Sequence, residues 1–261
     1  MANRFAEGHR VDRDRPHIFH RDYWTLRHLL DGARDFAARH ADALRGKRVL
    51  DFGAGVSPYA ALIAGAGAEL LRADIDPQDA TVLRIDPADG RVPLDDASVE
   101  AVLSTQVLEH VADVQGYLRE AFRLLRPGGL LYLSTHGAFV LHRNPTDFRR
   151  WTIDGLAHEL RQAGFEIDRI EPRIGIFAMS THLRSITLGG ATRRIPFTGW
   201  LRPIIYLLFN LRMGVEDRLT PASVMDAHPE LLLATARKPA VATPRSATAD
   251  ATGAPTTPPA G

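Results

Sequence analysis

The apolar positions of the chain follow two alternating rhythms. Between Asp22 and Leu44, Tyr23, Leu26, Leu29, Leu30, Ala33, Phe36 and Ala37 recur at helical spacing, which predicts an amphipathic helix. Short apolar runs come next: KRVLDF (47–52), ELLRAD (69–74), TVLRID (81–86), VEAVLSTQ (99–106), LLYLST (130–135), FEIDRIE (165–171) and ELLLATA (230–236). Each is bounded by turn residues and has the length of a buried strand. Pro58 sits where a first helical turn tolerates proline, so a helix is predicted from there to about Gly65. Asp113 is placed to cap VQGYLREAFRLL, which Pro127-Gly128-Gly129 stops, and Thr152 to cap IDGLAHELRQA, which Gly164 closes. Strands alternating with helices predict an α/β fold with a parallel sheet covered on both faces.

Two stretches break the rhythm. Only IDPQDA separates Asp74 from Thr81, too short for an ordinary parallel crossover, so the second crossover helix is expected to be lost or reduced to a turn. Residues 172–225 form a long insertion between the last two strands, read as a helical insertion or lid. Within it WLRPIIYLLFNLRM (200–213) is apolar almost all round. Such a helix is most often buried; the alternatives are a lid over the site or a peripheral membrane contact. Residues 1–21 are polar and read as a flexible arm, and 22–238 as one domain. The stretch 239–261, rich in Ala, Pro and Thr, reads as a disordered tail.

Composition narrows the function. The 32 Lys+Arg balance 31 Asp+Glu, and no basic stripe points to nucleic acid. The absence of cysteine removes thiolate catalysis, disulfides and Cys-based metal sites. The opening residues are polar and mixed in charge, without a secretory signal pattern, and a cytoplasmic location is expected. Oligomeric state is not legible.

The candidate chemistry lies in VLDFGAGVSPY (49–59). A glycine loop between strand and helix lets a ligand approach the backbone and the N–H groups that open the helix. A dinucleotide fingerprint would need a third small residue where Pro58 stands. Asp51 suits a ligand with an ammonium group better than a pyrophosphate, and Asp74, ending the second strand, suits ribose hydroxyls. A ligand with ribose, adenine, an amino-acid end and no phosphate is S-adenosylmethionine (SAM).

In this order, five segments resemble those of class I SAM-dependent methyltransferases: VLDFGAG, RADID, IDPADGRVPLDDASVEAVLSTQVLEHVAD, LLRPGGLLYLST and HRNPTDFRRWT. The resemblance covers roughly residues 45–171 and the last strand, within the broad group of small bacterial "type 11"-like enzymes acting on glycans, lipids and secondary metabolites. It implies a Rossmann-like fold with a seven-stranded, mostly parallel sheet, an antiparallel last strand and helices on both faces. It also implies cofactor roles. Gly53, Ala54 and Gly55 cradle the methionine end, Asp51 orients the amino group, and Asp74 accepts from the ribose. Ile75 lies on adenine, Asp86 near its amino group, and Gln106 faces the methionine end. Ser57 stands where the family commonly has a third glycine.

The expected activity is methyl transfer, most simply O-methylation, to a small-molecule, glycan or lipid-linked acceptor, without a metal. The alternatives are a SAM-binding module that does not turn over and a nicotinamide-dependent oxidoreductase. His142, His136 and Asp147 are the candidate catalytic groups, since strand ends on this side of an open sheet line the ligand crevice. Arg149, Arg150, Trp151, Tyr23 and Trp24 are the candidate acceptor contacts. Glu109 and His110 are read as structural, at a helix start behind the cofactor.

Overall fold

The computed structural model describes residues 13–77, 79–143, 146–192 and 198–240. The predicted tail lies outside the described residues except for Pro239 and Ala240, as do residues 1–12 of the predicted arm. The elements run in the order α1 (Tyr23–Arg39), α2 (Ala41–Leu44), β1 (Arg48–Phe52), α3 (Ala60–Gly65), β2 (Glu69–Asp74), β3 (Val82–Arg84) and β4 (Val99–Thr105). There follow α4 (Val114–Leu124), β5 (Leu125–His136), α5 (Ile153–Gln162), β6 (Glu166–Arg173), α6 (Ile176–Ala191), α7 (Arg202–Leu219), α8 (Ala222–Ala227) and β7 (Leu231–Arg237). The seven strands form one sheet in the order β3-β2-β1-β4-β5-β7-β6. Every pair is parallel except those of β7, which runs antiparallel to both neighbours.

Both faces of the sheet are covered, which is why its central strands read as continuous apolar runs rather than as alternations. Successive residues point to opposite layers. Leu50, Leu131 and Leu133 join the core under α4 and α5, while Val49, Leu130 and Tyr132 join the one under α1, α3 and α6. The predicted caps form: the Asp113 and Thr152 side chains accept from Gly116 N at 2.9 Å and Gly155 N at 3.0 Å.

The short crossover is resolved by register. β3 pairs only with the last three residues of β2, Arg72↔Val82 through Asp74↔Arg84. The chain therefore retraces only about 7 Å of strand before pairing again, which bends and turns manage without a helix. At Pro127-Gly128-Gly129 the structure corrects the boundary. The helix ends earlier, at Leu124, and these residues lie inside β5. There the register with β4 slips between Val99↔Leu125 and Ala101↔Leu130, and Gly128 takes φ +80°. The motif makes a bulge as well as stopping a helix.

The expectation that 200–213 is most often buried is also corrected. Of α7 only Asn210, Met213 and Gly214 are buried, and Ile204, Leu208, Leu211, Val215 and Leu219 form an exposed stripe. The buried side is selected by small and hydrogen-bonding residues. Gly214 faces Trp24, and Asn210 Nδ2 donates to the carbonyls of Ile18 and His20, both at 2.8 Å, tying the segment before α1 to α7. No helix among the described residues is long and apolar enough to cross a membrane.

A buried charge network fastens the α6–α7 layer to the sheet. His182 on α6 and Glu230, just before β7, are both fully buried. Glu230 accepts from Thr25 Oγ1 at 2.6 Å and pairs with His182 Nδ1 at 3.1 Å, while His182 Nε2 lies 3.3 Å from Asp22 Oδ1. Burial alone would lower the His182 pKa; Glu230 and Asp22 outweigh it and raise the imidazole to about 10. A group raised from its unfolded value near 6.5 contributes its full stability below that pH and loses it as pH rises toward 10. The thermal midpoint is therefore expected to fall between pH 7 and 10. His182→Gln should remove that slope and cost about 3–5 kcal/mol at pH 7, since Glu230 is left buried without its cation. Calorimetry over this range checks it; equal slopes in both proteins would exclude the network as their source.

Candidate active site

The carboxyl ends of β1, β2, β4 and β5 meet along one edge of the sheet, and the predicted glycine loop leaves that edge from β1. Gly53 and Gly55 have φ of +79° and +51°, conformations that favour glycine. A side chain on Gly53 would also come within 2.7 Å of Val107, in the loop after β4. The Gly53 and Ala54 N–H groups donate to Ala73 O at 2.9 and 3.0 Å, so the loop folds back onto the end of β2. There Asp74 accepts from Gly55 N at 2.8 Å and Asp76 N at 3.0 Å. Ile75 is half exposed beside it.

Asp51 lies beneath this loop and is buried, accepting from Ser57 Oγ at 2.5 Å. Ser57 itself has φ +50°, so the residue replacing the family's third glycine keeps a glycine-like backbone and gives Asp51 a donor. Burial pushes the Asp51 carboxyl up to about 7, with Ser57 opposing and Asp74 reinforcing the rise. Gln106, just past β4, is a second strained residue at φ +58°; its N–H donates to Ser134 O at 2.9 Å and its Nε2 to Ser134 Oγ at 3.3 Å. Asp86 stands apart. It is exposed, and its Oδ1 accepts from Ala88 N at 2.8 Å within its own turn.

Across the same edge lies a cluster of rings and carboxylates. His136 ends β5 with its side chain 5% exposed, and His142 is 36% exposed, so only the latter reaches the open side. Their rings meet edge-on at 5.1 Å, and His110 packs on His142 at 5.0 Å. Glu109 sits among them, fully buried on a short 3-10 turn, with Oε2 accepting from Thr135 Oγ1 at 2.9 Å. On sequence alone it reads as structural, its one local signal being its place in LEH, which starts three residues past β4. Burial raises the Glu109 pKa and holds His136 well below its usual value; burial and His110 lower His142.

The segment behind the cluster holds itself in place. Arg150 donates to Asp147 Oδ1 at 2.5 Å and Oδ2 at 2.6 Å, and Asp147 also accepts from His142 N at 2.8 Å. Burial works against the Asp147 charge, but Arg150 and the His142 N–H hold the carboxyl at about 2, which leaves it a poor proton acceptor. Arg149 donates to the carbonyls of Val111 and Ala112. Trp151 lies in the core, and its backbone N–H donates to His136 O at 3.1 Å. Tyr23 accepts from Arg27 at 3.0 Å, and Trp24 packs toward α7. Both arginines and Trp151 thus position the segment that carries His142.

A shallow groove of about 220 Å³, lined by Phe139, Leu141, Asp147, Phe148, Arg149 and Arg150, borders the histidine cluster. A larger groove of about 740 Å³ runs along the loop after β3, between Arg48, Arg84, Arg91 and Asp89, and touches neither the glycine loop nor the histidines. Its charges are mixed and, among the described residues that line it, none is a buried group without a partner, so the chemistry is assigned to the strand edge. Gly53→Ala is expected to lower stability by about 1–3 kcal/mol through the φ and the Val107 clash together, read by urea denaturation. A neutral effect would show that the turn tolerates a side chain.

Residues 23–170 match a family model described as a methyltransferase domain. A probable S-adenosylmethionine-dependent methyltransferase of Mycolicibacterium smegmatis is 30% identical over 252 residues, 87% of this chain and 94% of that protein. A ubiquinone biosynthesis O-methyltransferase of Xanthomonas oryzae pv. oryzae is 33% identical over 135 residues, 46% of this chain, and the matched part spans 54% of that enzyme's length. Among solved structures, Burkholderia thailandensis 1,6-didemethyltoxoflavin-N1-methyltransferase with bound 1,6-didemethyltoxoflavin and S-adenosylhomocysteine superposes with a TM-score of 0.51 at 21% identity. That match covers 84% of this chain and 82% of the other, and shows the shared fold. A family match over more than half of the chain and a relative matched along nearly its whole length agree with the strand-edge site: the chain belongs to the S-adenosylmethionine-dependent methyltransferases.

Proposed function

We propose that the enzyme methylates an oxygen of a small-molecule, glycan or lipid-linked acceptor. The observation that carries this reading is the pairing of two unlike half-sites on one strand edge. One is a glycine loop with the carboxylates of Asp51 and Asp74, and the other a buried carboxylate–imidazole cluster most open to solvent at His142. The O-methyltransferase named for its 33% identity over 135 residues lends support to oxygen as the acceptor atom.

The loop fits SAM. Gly53 leaves a cradle that a side chain would close against Val107, and the buried Asp51 suits a cationic amino group. In this reading Gly53, Ala54 and Gly55 present backbone to the methionine end, with Gln106 beside it. Asp74 exchanges its hydrogen bond with Gly55 for the ribose hydroxyls and Ile75 covers the adenine; Asp86 stands apart in its own turn and is linked to this side only through its neighbour Ile85, whose N–H donates to Asp74 O. When bound, SAM supplies a methyl group already activated on a sulfonium, so the protein's task is to orient, desolvate and hold the acceptor oxygen. His142 is better placed than the buried His136 to meet that oxygen, and the 220 Å³ groove beside it is the approach.

Two measurements test this. Cation binding beside Asp51 requires its ionised form, so SAM affinity by calorimetry is expected to weaken about tenfold from pH 8 to pH 6, for a carboxyl titrating near 7. Asp51→Asn should flatten that dependence; a wild-type affinity equal at both pH values would remove Asp51 from the amino-group role. In a screen of hydroxylated acceptors with isotopically labelled SAM, the product should carry its label as an O-methyl group. His142→Ala is expected to cut turnover about 100-fold or more with SAM affinity kept. Label on nitrogen or carbon, or full turnover in the variant, would overturn the reading.

A further inference from the structure

We propose that Glu109, His136 and His142 form a binding site for one divalent transition-metal ion. Each offers a donor atom, and the three donors lie within 4.8 Å of one another. A point equidistant from three atoms at that spacing is about 2.8 Å from each, against about 2.0–2.2 Å for zinc–nitrogen and zinc–oxygen bonds. Contraction by about 0.6–0.8 Å at each ligand, within reach of side-chain rotations, would complete the contacts.

The hydrogen-bond inventory favours an ion over a proton relay. Glu109 Oε1, His136 Nδ1 and His142 Nδ1 are all buried and make no hydrogen bond among the described residues; His142 Nδ1 lies 3.6 Å from Asp147 Oδ2, and the other His136 nitrogen, Nε2, is the one that faces Glu109. Leaving three such groups unmatched costs on the order of 1–3 kcal/mol each. A Glu–His pair kept for proton transfer needs a hydrogen bond, yet Glu109 Oε1 and His136 Nε2 are 4.0 Å apart, beyond that range. Two ligands of one ion are not hydrogen-bonded to each other and sit about 3.3 Å apart in a tetrahedral shell, so the spacing suits coordination better. His110 Nε2 is also 4.0 Å from the same Glu109 oxygen, a further donor at the margin.

The surroundings hold the ligands as outer partners of metal sites do. Thr135 donates to the second Glu109 oxygen, and the His142 backbone N–H is fixed by Asp147. Arg150, beside the cluster, is engaged by its two-point contact with Asp147. Two imidazoles with one carboxylate favour Zn²⁺, Co²⁺, Mn²⁺ or Fe²⁺ over Mg²⁺ or Ca²⁺, and three protein ligands leave an open position. That position opens on the His142 side, where an acceptor oxygen would enter; this role rests on the methyl-transfer reading, whereas the ion site does not. His142 then offers its lone pair to the ion instead of to a proton.

The test uses the full chain stripped with EDTA. Co²⁺ is titrated by its visible absorption, Zn²⁺ by competition, and SAM by calorimetry in the same samples. The expected result is one Co²⁺ per chain, displaced by Zn²⁺. Uptake should weaken at least tenfold in His142→Ala and in Glu109→Gln and stay unchanged in His158→Ala, an exposed histidine on α5. Thermal melts confirm folding of each variant; if the buried Glu109→Gln does not fold, the partly exposed His142→Ala decides alone. No uptake up to millimolar Co²⁺, or uptake indifferent to the His142 change, overturns the site, and with SAM binding intact it does so without touching the methyl-transfer reading. Loss of SAM binding with Co²⁺ uptake intact would sink that reading and leave the ion site.

Discussion

The parallel pairing of β1 with β2 on one side and β4 on the other is the constraint on which the rest depends. Parallel neighbours start and finish at the same edges of the sheet, so the loops leaving β1, β2 and β4 are delivered to one place. The register Phe52↔Ala73 and Asp51↔Leu103 sets their mutual height. The glycine turn follows from that placement. With Val107 arriving from β4 directly against the loop, only a residue without Cβ fits at position 53, and its left-handed backbone turns the next N–H groups onto the end of β2.

The two halves of the site share an electrostatic character. Asp51 and Glu109 are buried carboxylates whose charged forms burial disfavours. Glu230 is equally buried, but Thr25 and His182 satisfy it. The contrast separates charge that holds the fold together from charge that receives something. Of the four described non-glycine residues at positive φ, Ser57 and Gln106 flank the crevice, while Ala97 precedes β4 and Ile174 precedes α6.

The helical layer between β6 and β7 is attached through specific polar contacts as much as through apolar area. His182 and Asn210 reach across to Glu230, Asp22 and the carbonyls before α1, while Gly214 lets Trp24 approach. Apolarity misled about α7 because its large aliphatic residues face outward and its inner face is chosen by a glycine, a methionine and an amide. A helix uniform in hydropathy carries no periodic signal to orient it.

What the sequence by itself determined is what depends on neighbours in the chain. The order of strands and helices, the Asp113 and Thr152 caps, the turn at Gly53–Gly55 and the missing helix after β2 all follow from local spacing, capping chemistry and backbone preference. Asp74 was legible for the same reason, since it ends a strand read from its pattern. Tertiary structure alone decided the bulge in β5, the outward stripe of α7, the His182 network and the company kept by Glu109. The charged clusters join residues far apart in the chain: Glu109 meets His136 at the end of β5 and His142 beyond it, and His182 meets Asp22, just before α1, and Glu230, just before β7. Their chemistry comes from burial and the partners a fold supplies, and a residue's burial is set by the strands and helices that close over it, not by its immediate neighbours in the chain.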